Sequence, residues 1–174
     1  MAYVLADMGF NKGVEVGTRY GAYAMLMLNA NPNLHLYCVD PWAQYASVRQ
    51  DKQDKIYAQA LGNLKPYGRR VRIIKEPSMV ALQRFRSRSL DFVYIDGDHR
   101  FDYVMPHIIY WSHKVKRGGM VMVHDYVAGH GFGVMAAVNT YTYVHNIRPW
   151  FVTRERLSTA FWLRHYDGVD NLRR

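Results

Sequence analysis

"SLDFVYIDGDHRFDYV" (residues 89–104) carries an apolar run, Phe92 to Ile95, that stops abruptly at Asp96, Gly97, Asp98 and His99. A short continuous apolar run bounded by polar residues fits a strand buried on both faces. The apolar positions that follow recur at helical spacing, so the stretch reads as strand, acidic turn and helix. A strand of this kind belongs to a parallel sheet covered by helices, and its acidic end marks where the chain leaves the hydrophobic layer.

The same alternation recurs on either side. "GVEV" (13–16) reads as a brief buried strand, followed by a glycine-bounded turn and the helix "AYAMLMLNA", ended near Asn31 and Pro32. "LHLYCVD" (34–40) is a second strand, and residues 50–64 suit a helix, with Ile56, Ala60, Leu61 and Leu64 at helical spacing. "RVRIIK" (70–75) is a third, and Pro77 suits the first turn of the helix "SMVALQRF". The fourth is "LDFVYID" itself. Its helix runs through "YVMPHIIYWSHKV", with Pro106 near the start or at a kink. A glycine pair introduces a fifth strand, "GGMVMVHD" (118–125). After a helix over 133–145, "RPWFVTRERLSTAFWLRHY" shows two strand-like stretches joined by "TRER", a terminal hairpin that adds antiparallel pairing. Five β-α units in order imply an α/β fold with a doubly wound, mostly parallel sheet and right-handed crossovers.

Composition bounds the rest. A chain of 174 residues with 49% hydrophobic and 21% charged residues is expected to form one domain over 1–174. No apolar run reaches the ~18 residues that span a bilayer, and "MAYVLADMGFNKG" lacks the basic leader and long apolar core of a signal peptide. The single cysteine, Cys38, sits in an apolar run and reads as a core residue of a cytoplasmic protein. The formal net charge of +9 favours anionic partners, with basic clusters at Arg69, Arg70, Arg72 and Lys75 and at Arg84, Arg86 and Arg88. Charge alone carries no sequence readout, so a solvated face is preferred to a nucleic-acid groove.

In open α/β sheets ligands bind beyond the carboxyl ends of the strands. There the chain places "EVGTRYG" (15–21), "VDPW" (39–42), Asp96 and "VHDY" (123–126). Gly17 and Gly21 let the backbone turn tightly and approach a ligand closely. Their G-x-x-x-G spacing disfavours a pyrophosphate-binding loop. Asp40, 23 residues after Gly17, stands where an acid can accept hydrogen bonds from two ribose hydroxyls. Together these point to a nucleoside-containing ligand.

Taken in order, "GVEVGTRYGAYAMLML", "VDPW", "IIKEPSMVAL", "LDFVYIDGDHRFDYV" and "KRGGMVMVHDY" resemble class I S-adenosylmethionine-dependent methyltransferases. The likeness is above all to the family called methyltransferase 24, related to catechol-type and macrolide-sugar O-methyltransferases. The resemblance implies a Rossmann-like methyltransferase sheet of order 3-2-1-4-5-7-6 with an antiparallel last strand. It also implies S-adenosylmethionine as cofactor and a hydroxyl of a small molecule or sugar as acceptor. Residue by residue, it places Glu15, Gly17, Thr18 and Gly21 around the methionine part, Asp40 on the ribose, Pro41 and Trp42 against the adenosine, and Glu76 and Ser78 near the adenine. Asp96, His124 and Asp125 fall where metal-dependent relatives bind a divalent cation, Mg²⁺ or Mn²⁺. His99 falls where the macrolide-sugar branch has its base.

Alternatives stay open at several positions. Asp96 reads equally as a helix cap or a partner of the cofactor amine. Asp98 reads as a loop or cofactor contact rather than a metal ligand. His124 stands where the catechol branch has an acid; imidazole suits Mn²⁺ or Fe²⁺ better than Mg²⁺, and a satisfied structural histidine is the alternative reading. His35, His107, His113, His145 and His165 read as packing or surface residues, and His130 as a loop residue. Relatives carry N-terminal helices that cover the substrate, and none is expected here. That predicts an open site, or a cover from loops 43–53 or 126–133 or from a partner subunit in a homo-oligomer. A nucleic-acid methyltransferase and a non-catalytic cofactor-binding protein of the same fold remain as alternatives.

Overall fold

The computed structural model describes residues 1–45, 48–129 and 133–165. The chain forms two compact units, Met1–Gln83 and Arg84–Arg174. Across both, the strands run in the order β3-β2-β1-β4-β5-β7-β6, as expected.

The first unit contains α1 (Ala2–Asp7), β1 (Lys12–Val16), α2 (Ala22–Ala30), β2 (His35–Asp40), α3 (Gln50–Leu64), β3 (Val71–Lys75) and α4 (Ser78–Ala81). β1 pairs parallel with β2, setting Glu15 opposite Cys38, and β2 pairs parallel with β3, setting Asp40 opposite Lys75. The apolar runs become the core as read: Val14, Val16, Leu36, Cys38 and Val39 are buried, as are Ala24, Met27 and Leu28 of α2. α3 buries Ile56, Ala60 and Leu64, but Leu61, expected on the same face, is exposed. Helix α1 has no counterpart in the sequence reading; it packs on α2 through a segment that buries Ala2 and Leu5.

The second unit contains β4 (Leu90–Ile95), α5 (Phe101–Ser112), β5 (Val115–Val123), α6 (Val134–Val144), β6 (Phe151–Val152) and β7 (Ala160–Leu163). β4 is buried along almost its whole length, as its composition predicts for a strand covered on both faces. Its parallel register with β5 aligns Phe92 with Met120 and Ile95 with Val123. Leu90 pairs with Val115, so Lys116–Gly119 bulge out and β5 starts earlier than its apolar run. Gly119 is required there: a Cβ would lie 2.4 Å from the Asp91 carbonyl oxygen. The terminal hairpin is present, β7 lying antiparallel to both β5 and β6. Pro106 sits inside α5, in its first half, where its missing N–H leaves the Asp102 carbonyl without that helical bond. Among the described residues, no helix is long and apolar enough to cross a membrane.

Candidate active site

In the first unit, the turn after β1 is built by backbone geometry that few residues adopt. Gly17 has φ 93°, Arg19 50° and Gly21 77°, and the Gly21 N–H donates to the Thr18 carbonyl over 2.7 Å. Glycine reaches these angles without Cβ strain, which is why it recurs here. Gly17 is tied to the end of β2 by an N–H bond of 2.8 Å to the Val39 carbonyl. Glu15 and Thr18 are buried on either side of the strand end.

Asp40 joins this turn to the next one. Its Oδ2 accepts the Arg19 N–H at 2.9 Å and its Oδ1 accepts the Trp42 N–H at 2.8 Å. Burial pushes its pKa up, against the pull of those two N–H groups and the Arg19 charge. Each carboxylate oxygen has a second lone-pair direction, so both remain able to accept from a diol. Trp42 departs from the expected adenosine platform. Its ring is 1% exposed, packed with Ile56 and Ala60 and centred 4.7 Å from the Tyr57 ring. Its indole N–H donates to the Arg19 carbonyl over 2.9 Å. The ring surface is therefore taken up by the core, and Trp42 acts as a peg that fixes the glycine turn. Pro41 beside it is exposed, and Glu76 and Ser78 lie just past β3, half-buried.

In the second unit, four residues expected to act together do converge. The ladder continues one step past the strands, the His124 N–H donating 2.9 Å to the Ile95 carbonyl, which sets Asp96 and His124 side by side. His124 Nδ1 lies 3.3 Å from Asp96 Oδ1 and 3.3 Å from Asp125 Oδ1. His99 Nε2 lies 2.9 Å from Asp125 Oδ2 and 3.9 Å from Asp96 Oδ1. Asp125 is 6% exposed and has φ 57°, a left-handed conformation that turns its carboxylate into the cluster.

The charges perturb one another. Burial pushes the Asp96 carboxyl up, but contacts with His124 and His99 outweigh it and hold it below the usual range. Contact with Asp96 raises the His99 pKa against burial, aided by the charges of Asp125, Asp96 and Asp98. Burial lowers that of His124, yet Asp96 and Asp125 bring it out above its ordinary value.

Asp98 takes no part in this cluster. It accepts the Arg100 N–H at 3.0 Å and pairs with the Arg100 guanidinium, which lies 4.2 Å from the Tyr103 ring centre. It organises the loop entering α5, one of the two roles left open for it. The position of His99 depends on Gly133, whose N–H donates 2.7 Å to the His99 carbonyl. A Cβ on Gly133 would fall 2.1 Å from the Phe101 nitrogen. Sequence reasoning missed Gly133 because its partner lies on another element.

Asp96, His124 and Asp125 each offer one ligand atom, all within 4.8 Å of one another. Neighbouring ligands on an octahedral cation with ~2.1 Å bonds stand about 3.0 Å apart, close to the two 3.3 Å separations. Asp125 Oδ1 and His124 Nδ1 are shielded from solvent, and among the described residues neither has a partner in hydrogen-bond geometry. A nitrogen and two carboxylate oxygens so arranged fit a divalent cation of the Mn²⁺ or Fe²⁺ type. His130, and parts of both loops expected to cover the site (46–47 and 130–132), lie outside the described residues.

This strand order, with acids beyond the ends of the parallel strands, defines a Rossmann-like methyltransferase. Residues 14–126 match the family model described as a methyltransferase domain, and the chain belongs to that family. The uncharacterised protein y4gI of Sinorhizobium fredii is 27% identical over 128 residues, covering 70% of this chain; the chain thus spans only 14% of that relative's length. The O-methyltransferase TomG of Streptomyces achromogenes, involved in tomaymycin synthesis and solved with S-adenosylmethionine, superposes with a TM-score of 0.70. It is 14% identical, over 95% of this chain and 78% of its own. A Bacillus cereus O-methyltransferase complexed with S-adenosylhomocysteine gives 0.69 at 12% identity, over 93% of this chain and 78% of its own. PaMTH1 of Podospora anserina, also bound to S-adenosylhomocysteine, gives 0.68 at 13% identity, over 95% and 76%. At such identities the likeness is one of fold.

Proposed function

We propose that this chain is a single-domain, cytoplasmic S-adenosylmethionine-dependent O-methyltransferase that acts on a hydroxyl of a small molecule, assisted by a divalent cation. The observation that carries this reading is the cluster of Asp96, His99, His124 and Asp125, in which an imidazole faces two carboxylates beyond the ends of β4 and β5. S-adenosylmethionine supplies an activated methyl group on sulfur. The backbone of Gly17 to Gly21 would line its methionine part, Asp40 would accept the ribose hydroxyls, and Glu76 and Ser78 would lie near the adenine. Asp96, His124 and Asp125 would hold the cation, which would lower the pKa of an acceptor hydroxyl and fix its direction. His99, its Nε2 held 2.9 Å from Asp125 Oδ2, would take the hydroxyl proton on its other ring nitrogen, and Asp125 would stabilise the imidazolium so formed.

The test is calorimetry with S-adenosylhomocysteine, followed by labelled methyl transfer to catechols and vicinal-diol sugars with Mn²⁺. His99→Ala is expected to lower turnover strongly and leave the S-adenosylhomocysteine affinity within about twofold. Absence of binding heat in the high micromolar range overturns the enzyme reading. Turnover indifferent to chelator and to Asp125→Ala overturns the metal's part in it.

A further inference from the structure

The second unit contains an enclosed space remote from Asp96 along α5. That helix begins beyond His99 and its last turn lines the space, so its 12 residues put about 18 Å between the two. The cavity has a volume of about 90 Å³ and lies among the last turns of α5 and α6 and the end of β7. Its walls combine aromatic rings with cations. Trp162 and Tyr141 face each other with ring centres 5.8 Å apart. Arg164 is buried, its guanidinium anchored by a bond to the Val115 carbonyl, and Arg148 and His145 stand at the rim. No carboxylate lines it among the described residues.

One further atom points to a ligand. Ser112 is 4% exposed, and its Oγ is shielded from solvent; the Tyr141 hydroxyl beside it interacts with it but falls short of full hydrogen-bond geometry. A buried hydroxyl in that state costs free energy unless something else accepts from it. The Tyr141 hydroxyl beside it is held in its protonated form by burial, against the pull of Ser112 and Arg164, so it too is a donor.

We propose that this cavity binds a small aromatic carboxylate, its ring against Trp162 and Tyr141 and its carboxylate on Ser112 Oγ and the Arg164 charge. Donors and cations without an acid select an anion, and the apolar walls select a planar hydrocarbon body over a free phosphate. A single ring suits the volume. The site is independent of the methyl-transfer reading, because no residue in it belongs to the strand-end cluster.

The probe is benzoate, titrated into the full chain and followed by amide and indole NMR shifts, with benzamide, acetate and inorganic phosphate alongside. Shifts are expected at Ile109 to His113, at Tyr141 to His145 and at the Trp162 indole. Benzoate should bind at least about tenfold more tightly than benzamide or acetate, the worth of one charge-assisted bond or one buried ring. Arg148→Gln, at the exposed rim, tests the charge without threatening the fold. It should weaken benzoate about threefold to tenfold. Ser112→Ala should weaken it similarly while changing thermal stability little, since the change removes a hydroxyl that only the Tyr141 hydroxyl partly satisfies. Equal affinity for benzoate and benzamide, tighter binding of phosphate, shifts confined to Asp96 and Asp125, or no shift below about 10 mM would overturn the proposal.

Discussion

Addition of Mn²⁺ to the wild-type chain and to Asp125→Asn tests the reading of the strand-end cluster most directly. Two of the ligand-atom separations, both 3.3 Å, are within a few tenths of an ångström of what one octahedral cation requires, so binding demands little rearrangement. A site with a dissociation constant near 10 µM would, at 1 mM Mn²⁺, stabilise the folded chain by about 2.7 kcal/mol. For a domain of this size that raises the midpoint of thermal unfolding by roughly 5–10 °C. Asp125→Asn replaces the most buried ligand with a neutral one and should remove most of the shift. The metal-free melting point of the variant changes as well, because His99 loses a partner at 2.9 Å, so the quantity to compare is the increment on adding Mn²⁺. Asp98→Asn is the control. It removes an acid from the same turn, but that acid is committed to Arg100, and the increment should persist. An Asp125→Asn increment equal to that of the wild type refutes the assignment, as does an Asp98→Asn variant that loses it.

Other substitutions probe how the site is held. Gly133→Ala sets a methyl 2.1 Å from the Phe101 nitrogen and should cost about 1–3 kcal/mol in urea unfolding, while displacing His99 through the bond at its carbonyl. Gly119→Ala, with a methyl 2.4 Å from the Asp91 carbonyl oxygen, should be more damaging than Gly118→Ala, where φ is 75° but the space is open. The latter should cost only about 1 kcal/mol. Burial lowers the His107 pKa, with Asp98 pulling the other way, so the unfolded chain binds more protons just below the ordinary histidine value. The contribution of His107 to stability should therefore fall as pH drops from about 7 toward 5, opposite in sign to those of His99 and His124, and it is read as the difference in urea midpoints between the wild type and His107→Gln across that range. Asp40→Asn offers one oxygen to two N–H donors and turns its own NH₂ on the other, so both S-adenosylhomocysteine affinity and thermal stability should drop.

The sheet was legible because its signal is local. Phe92 to Ile95 had to be buried on two faces, and the polarity break at Asp96 had to fall outside the layer. The same reasoning placed Asp40 and Asp125. Where signals were short or mixed, the reading missed. Ala2 and Leu5 give too little periodicity to declare a helix, and Val115 begins β5 hidden among Lys114, Lys116 and Arg117. Trp42 shows a different limit. An aromatic after a strand-end acid can face a ligand or a helix, and which it does here is decided by Ile56, Ala60 and the Arg19 carbonyl, 23 residues away. No local pattern contains that information.

Asp40 and Asp96 look alike in the sequence, each an acid closing a buried strand, yet the structure gives them opposite surroundings. Asp40 is satisfied by two backbone N–H groups, partners that cannot titrate and that fix the shape of two turns. Asp96 stands instead beside two imidazoles, His124 at 3.3 Å and His99 at 3.9 Å, neighbours that can gain or lose a proton or exchange it for a metal. The first arrangement suits a ligand that must always sit in one pose; the second suits chemistry in which charge changes during the reaction. The division follows from what stands three residues on or across the neighbouring strand. His99 follows Asp96 by three positions and His124 lies beside it, whereas Asp40 is followed by a proline and a buried tryptophan. The acid closing a strand therefore marks the rim, and the identity of its partners assigns the role.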